Sequence, residues 1–364
     1  MKIIPGSLIV IICASLMLFT VSSCKKDTET TLPEPVDPSA AEYVGSYYLS
    51  AARYQLIAGA ANGKILFAGG SDGASGLFDN VELYDTKTGQ WSYSQLSEAR
   101  RGSASTSDGN LVVIAGGMTT LDYSKTVDIY NTKTGLWLTT ELSEGRNYPE
   151  AAAAGDKIVI GGGYNGVYST TVDIYNTTTG LWTVAQLSEG RNFLSAAAAG
   201  NKVLFGGGST GANATSAVDI YDVNTGVWTV AQLSEPRCFL AAATAGTKVF
   251  FAGGADALIS DVVDIYDVST GAWTVAHLSV PRFSLTAVSA GNLVLFAGGN
   301  DGVGLSDVVD IYNTNTGIWT TTHLSYAGSN LSGAAAGNVV VFAGGLDGPA
   351  WTDVTKKVDV FKLK

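Results

Sequence analysis

From Lys248 to Leu278 the chain reads KVFFAGGADALISDVVDIYDVSTGAWTVAHL, and this stretch decides the fold. Val249 to Ala252 is an unbroken apolar run that stops at Gly253-Gly254, the pattern of a short strand buried on both faces. After a loop, Val263-Asp264-Ile265-Tyr266 alternates as a strand should. Asp267 to Gly271 reads as a hairpin connection, with Gly supplying the positive φ of a bulged turn. Trp273 to Leu278 is then a further strand. Just upstream, Phe239 to Thr244 is small and apolar and ends in the turn Ala245-Gly246-Thr247. One unit therefore holds four short strands and no helix.

The unit recurs along the chain. Glycine pairs stand at Gly69, Gly116, Gly162, Gly207, Gly253, Gly298 and Gly344, at intervals of 45 to 47 residues. A Tyr follows the same step at Tyr84, Tyr130, Tyr175, Tyr221, Tyr266 and Tyr312, and a Trp at Trp91, Trp137, Trp182, Trp228, Trp273 and Trp319. Leu-Ser pairs recur from Leu49 to Leu324. A period in this range signals a solenoid or a propeller. Four antiparallel strands repeated seven times predict an all-β, seven-bladed β-propeller over 43–364. The phase of the ends predicts how the ring closes. Tyr43 to Ser50 aligns with a fourth strand, with Val44 in the place of Trp, and Val358 to Phe361 aligns with a third strand. An N-terminal strand is thus expected to complete the last blade and remove the open edges.

The repeat resembles the Kelch family: a double Gly closing the second strand, Tyr in the third, Trp in the fourth, and Arg just before the next first strand. The Gly-His and Trp-Asp pairs of WD40 repeats are absent, and the seven diglycines argue against a quinoprotein propeller. Within the Kelch resemblance there is a distant likeness to the central propeller of galactose oxidase and to sialic-acid mutarotases.

The N-terminus reads as an export signal. Lys2 precedes an apolar run from Ile3 to Phe19, followed by Val21-Ser22-Ser23-Cys24. The run is shorter than a membrane span of about 20 residues. The segment before Cys24 resembles a bacterial lipobox, which implies cleavage after Ser23 and lipid attachment to Cys24. Residues 24–42, acidic and Pro-containing, read as a flexible tether, similar to the tethers of surface-displayed lipoproteins in the Bacteroidota. The expected location is the cell envelope, at the outer membrane, with membrane contact through the lipid alone.

Composition removes other classes. With 46% hydrophobic and 15% charged residues, the chain is too apolar for general disorder. A formal charge of -11 and no basic cluster exclude a phosphate-driven nucleic-acid binder. Three cysteines build no disulfide scaffold. A monomeric propeller without a cofactor is expected.

Candidate chemistry sits in register. Arg53, Arg100, Arg146, Arg191, Arg237 and Arg282 each lie four residues after the Leu of Leu-Ser, and the seventh unit has Gly328 there. By the Kelch resemblance this slot lies at one mouth of the central channel, which implies a ring of guanidinium groups able to grip carboxylates. A second reading is equally regular. Glu82, Asp128, Asp173, Asp219, Asp264, Asp310 and Asp359 recur two positions before the third-strand aromatic, so the same arginines could be structural partners of one acid per blade.

The residues after the slot vary between units: Asn147, Tyr148, Glu150, Asn192, Phe193, Cys238, Phe239 and Phe283. The loops after the diglycines vary too, with Phe78, Tyr123, Tyr164, Tyr168 and Trp351. Variation inside a copied repeat marks where a propeller makes its specific site. Exposed aromatics beside Arg and Asn would suit a sugar or a peptide. The ligand-binding set is therefore expected in the six arginines with Asn147, Tyr148, Asn192 and Phe193.

Catalytic groups are scarce. The two histidines, His277 and His323, belong to fourth strands of different units, so neither a copper site of the galactose-oxidase type nor a zinc site is expected. No phosphate loop or nucleophile elbow occurs. The expected function is a non-catalytic binding module for a glycan or protein ligand at the Arg-bearing mouth. The alternatives are a sugar mutarotase or epimerase using the arginines and Glu150, and a structural component of a surface assembly.

Overall fold

The computed structural model describes residues 41–364. The proposed signal sequence, Cys24 and most of the tether lie outside the described residues. Among the described residues, twenty-eight strands form seven four-stranded antiparallel sheets. Blade five is typical, with strands Ala241–Ala245, Lys248–Ala252, Val262–Asp267 and Ala272–His277 from the axis outward. The second strand is buried along its apolar run, while the fourth alternates between half-buried and exposed positions.

Blades pack face against face, and the core is a series of layers between neighbours. One layer joins Phe250, Ala252, Val263, Ile265 and Leu278 of blade five to Leu285, Val294 and Phe296 of blade six. Each fully buried large aliphatic contributes about 1.5–3 kcal/mol. The repeated Leu of Leu-Ser is one of these in every blade, from Leu49 to Leu324.

The double glycine has a specific cause. Gly253 and Gly254 adopt φ of 63° and 98°. A Cβ on Gly253 would stand 2.4 Å from the Arg282 carbonyl of the next blade, and one on Gly254 2.8 Å from the Cys238 carbonyl. The Gly254 amide donates to that Arg282 carbonyl at 2.8 Å. The pair is therefore a backbone-to-backbone contact between blades, where a side chain has no room.

Blade seven consists of Ser332–Ala336, Val339–Ala343, Lys357–Leu363 and the N-terminal strand Ala41–Tyr48. The closing strand begins two residues earlier than the sequence suggests, with Ala41 opposite Leu363. A bulge between Tyr43 and Gly45 shifts the register by one. Counting back from Leu49 puts Val44 in the Trp position, but the bulge leaves Tyr43 opposite Phe361, with the rings 5.6 Å apart. In blade one the same place holds Tyr84 and Trp91 at 5.1 Å.

The alternation of strand directions gives the ring two different faces. Leu-Ser linkers and the loops after the diglycines share one face. Turns between first and second strands, hairpins between third and fourth, and Ala41 share the other. The first strands surround a central cavity of about 350 Å³, lined by residues of all seven blades.

Candidate functional site at the channel mouth

The arginine register is buried. All six guanidinium side chains are 0–1% exposed. Arg53 reaches Glu82 at 2.7 Å, Arg100 Asp128 at 2.8 Å, Arg146 Asp173 at 2.5 Å and Arg191 Asp219 at 2.6 Å, and Arg237 and Arg282 pair with Asp264 and Asp310. Other guanidinium N–H groups reach backbone, as where Arg282 Nη1 donates to the carbonyls of Gly298 at 2.8 Å and Val308 at 2.7 Å, while none of the six Nε groups has a partner among the described residues. Burial pulls the Arg146 guanidinium below its ordinary range, while Asp173 and Glu144 push it back up. A ligand at the mouth cannot touch these groups, so the expected ring of ligand-gripping arginines is corrected to a set of inter-strand clamps.

The acids hold more than arginine. Each also accepts the backbone amide of the Ser in the preceding Leu-Ser, as from Ser188 to Asp219 at 2.9 Å and from Ser325 to Asp359 at 2.7 Å. The linker leaving one blade is thus pinned to the third strand of the next.

Blade seven shows the same design without arginine. Gly328 leaves space that Tyr326 fills, and its hydroxyl donates to the Gly344 carbonyl at 3.1 Å. This carbonyl corresponds to those that Arg237 and Arg282 reach at Gly253 and Gly298. Ser325 and Ser46 hydroxyls complete the shell of Asp359 at 2.7 and 2.9 Å. Burial, then the nearby Asp359, raises the Tyr326 phenol pKa.

The positions that vary between repeats do converge. In each blade the residue after the Arg slot bridges the residue after the diglycine, which bridges a residue of the following loop. These triads include Tyr54–Ser71–Leu77, Arg101–Met118–Tyr123, Asn147–Tyr164–Tyr168 and Asn192–Ser209–Ala214 in blades one to four. Blades five to seven contribute the more apolar Cys238–Ala255–Ile259, Phe283–Asn300–Leu305 and Ser329–Leu346–Val354. The triads of blades one to four therefore form the more polar side of the mouth and hold all of the triad tyrosines.

Inside the triads runs a ring of left-handed residues: Gln55, Gly102, Tyr148, Phe193, Phe239, Ser284 and Asn330, with φ from 51° to 62°. Backbone amides link neighbours, as from Tyr148 to the Gly102 carbonyl at 2.9 Å and from Phe239 to the Phe193 carbonyl at 3.0 Å. Tyr148, Phe193 and Phe239 stack along it at centroid distances of 4.8 and 4.2 Å. The Gln55 amide donates to the Tyr148 hydroxyl across Gly102, where a Cβ would collide with Asn147 Oδ1 at 2.3 Å. Burial pushes the Tyr148 phenol up to about 12, with Arg101 pulling the other way.

Three polar atoms here lack a partner. Gln55 Oε1, Asn147 Oδ1 and Asn192 Oδ1 are buried and make no hydrogen bond among the described residues, a costly state for an acceptor. Near Tyr148 lies Arg101, which is half-buried, has no carboxylate partner among the described residues and donates to Tyr54 Oη at 3.0 Å. The Tyr54 ring lies 5.9 Å from Trp351, which is 60% exposed. Arg101 escapes the reading of the sequence because Arg100 fills the register. It is the one arginine outside that register, and this is the signal that could have found it.

Other expected positions are accounted for locally. Phe78 packs under the Arg53 guanidinium at 5.8 Å. Burial, assisted by Asp256, pushes the Cys238 thiol up to about 11, and its sulfur donates to the Ala255 carbonyl at 3.3 Å. His277 and His323 are exposed on outer strands, each 3.1 Å from an aspartate.

The Kelch motif matches residues 52–94, 99–139 and 145–186. No curated protein sequence matches the chain. Among solved structures, that of YjhT aligns with a TM-score of 0.60 at 15% identity, covering 76% of this chain and 99% of that one. This likeness is one of fold. With seven blades of four strands and an N-terminal strand that closes the last of them, the chain is a seven-bladed β-propeller whose first three blades carry Kelch motifs.

Proposed function

We propose that the chain is a binding module for a hydroxyl-rich ligand that carries an acid group, an acidic glycan, held at the polar side of the channel mouth. The observation that carries this reading is Arg101, a half-buried guanidinium with no carboxylate partner among the described residues, close to the exposed Trp351 ring that lies against Tyr54. Arg101 offers a fork suited to a carboxylate, and Trp351 over Tyr54 offers an apolar platform for a sugar ring. We further propose that the protein is held at the cell envelope by lipid on Cys24. Ala41 starts on the face opposite the mouth, an arrangement that would leave the mouth free.

Arg101→Ala is expected to weaken binding to carboxylated oligosaccharides at least tenfold on a glycan array, with an unchanged unfolding midpoint. Arg101 is absent from the clamp register, so its loss should not unfold the ring. Equal binding by wild type and variant would overturn the assignment of Arg101. The second reading, a sugar mutarotase or epimerase, is favoured by Glu150, an acid in the channel with no cationic partner among the described residues. Accelerated anomer exchange of an acidic sugar, followed by NMR, would establish it in place of simple binding.

A further inference from the structure

The loops after the diglycines differ in what they present. Those of blades four, five and six hold no aromatic residue, and blades five and six expose Leu258 and Val303 there. Blades two, three and seven carry Tyr123, Tyr164, Tyr168 and Trp351. These rings form two groups. In one, Trp351 lies 5.9 Å from Tyr54, and in the other, Tyr164 lies 6.0 Å from Tyr123 and 5.2 Å from Tyr168. Arg101 stands between them. Its side chain donates to Tyr54 Oη, and its backbone pairs with Met118, which bridges Tyr123. It is the only charged residue in the seven triads.

Glycine shapes both ends of this strip. At Gly73, φ 80°, a Cβ would stand 1.9 Å from the Trp351 carbonyl, and at Gly211, φ 94°, one would stand 2.3 Å from the Tyr168 ring. Carboxylates border the rings. Asp72 precedes Gly73 and accepts the Ala74 and Gly76 amides at 2.9 Å. Asp122 accepts the Tyr123 amide at 2.7 Å, and Asp353 accepts the Ala350 amide at 2.9 Å. Lys357, the nearest lysine in the chain to this last loop, is taken by Asp347 at 3.3 Å.

A sugar lays its C–H face on an aromatic ring and needs no charge to do so. Ring groups on either side of one guanidinium give places for sugars on both sides of an acid group. The bordering carboxylates disfavour further acid groups, because like charges brought together repel. We propose that the mouth takes an internal stretch of a sparsely charged glycan: one carboxylated sugar at Arg101, with neutral sugars on Trp351 and on the Tyr123–Tyr168 group. This inference rests on the acidic-glycan reading and narrows it. A single acidic sugar leaves ring groups uncovered, and a polyuronate brings carboxylates up to Asp72 and Asp122.

Calorimetry compares three probes: a uronic acid alone, a trisaccharide with that acid between two neutral sugars, and a tri-uronate of the same length. The mixed trisaccharide is expected to bind at least tenfold tighter than either of the others, since linked contacts reinforce one another. Trp351→Ala and Tyr168→Ala should each weaken it at least threefold and leave the single uronic acid unchanged. Tyr168→Phe keeps the ring and should bind as wild type does, which separates lost stacking from a lost hydroxyl. Asp72→Asn combined with Asp122→Asn keeps the Oδ1 acceptors of both loops, removes two charges and should strengthen tri-uronate binding at least threefold. If the single uronic acid or the tri-uronate binds as tightly as the mixed trisaccharide, the inference is overturned and the acidic-glycan reading stands. Binding of none of the three would overturn both.

Discussion

Arg191→Ala is expected to destabilise the propeller by about 3–5 kcal/mol, the range for removing one partner of a buried ion pair. The change strands Asp219, which is 2% exposed, with only the Ser188 amide and hydroxyl at 2.9 and 3.1 Å. It also removes the donor that Arg191 Nη2 gives to the Phe205 carbonyl at 3.1 Å. Blade seven supplies the internal comparison. There the acid lives without arginine, and Tyr326→Phe removes one hydrogen bond to Gly344, worth about 0.5–1.5 kcal/mol. Equilibrium unfolding in denaturant should rank the two variants in that order. An Arg191→Ala protein within 1 kcal/mol of wild type would mean that the register is not a stability device and would reopen the reading of these arginines as ligand contacts.

That outcome bears on what a repeat discloses. The fold was legible because its determinants are local and copied: the glycine pair, the alternating Val-Asp-Ile-Tyr strand and the Trp strand recur with one phase. The partnership of Arg and acid was legible as one of two options. Regular spacing aligns two residues but does not say whether their heads meet or face water. Burial decides it, through the diglycine and linker contacts that close over the guanidinium groups. The bulge at Val44 was hidden for a different reason, since a one-residue insertion in a strand leaves no mark in spacing counted from one end.

The candidate site was legible only as a region. Variable positions after the Arg slot and after the diglycine were visible, and the bridges between them show why they meet. The particular residues were not visible, because unpaired acceptors such as Gln55 Oε1 and Asn192 Oδ1 are defined by what surrounds them in space. Tyr148 contacts Gln55 two blades away, a pairing set by the small Gly102 between them. Repeats encode the frame in each unit, whereas a specific site is encoded by differences between units that act together.

Removal of the closing strand should have the second large effect. Deleting residues through Tyr48 while keeping Leu49 takes away all seven paired positions from Ala41–Leu363 to Tyr48–Lys357. It uncovers the outer edge of Lys357–Leu363, whose Val358 and Phe361 are fully buried, and removes the Ser46 bond to Asp359. An open edge with apolar flanks is a template for pairing with another chain. The truncated protein is therefore expected to form dimers and larger species in light scattering and to unfold at lower denaturant concentration. The peptide Ala41–Tyr48 added in trans should occupy the edge, restore the monomer and raise the midpoint, while a scrambled peptide should do neither. A truncated chain that stays monomeric with an unshifted midpoint would show that the ring holds without its closure. In that case the inter-blade clamps and apolar layers, and not the joining of first strand to last, would carry the stability of the propeller.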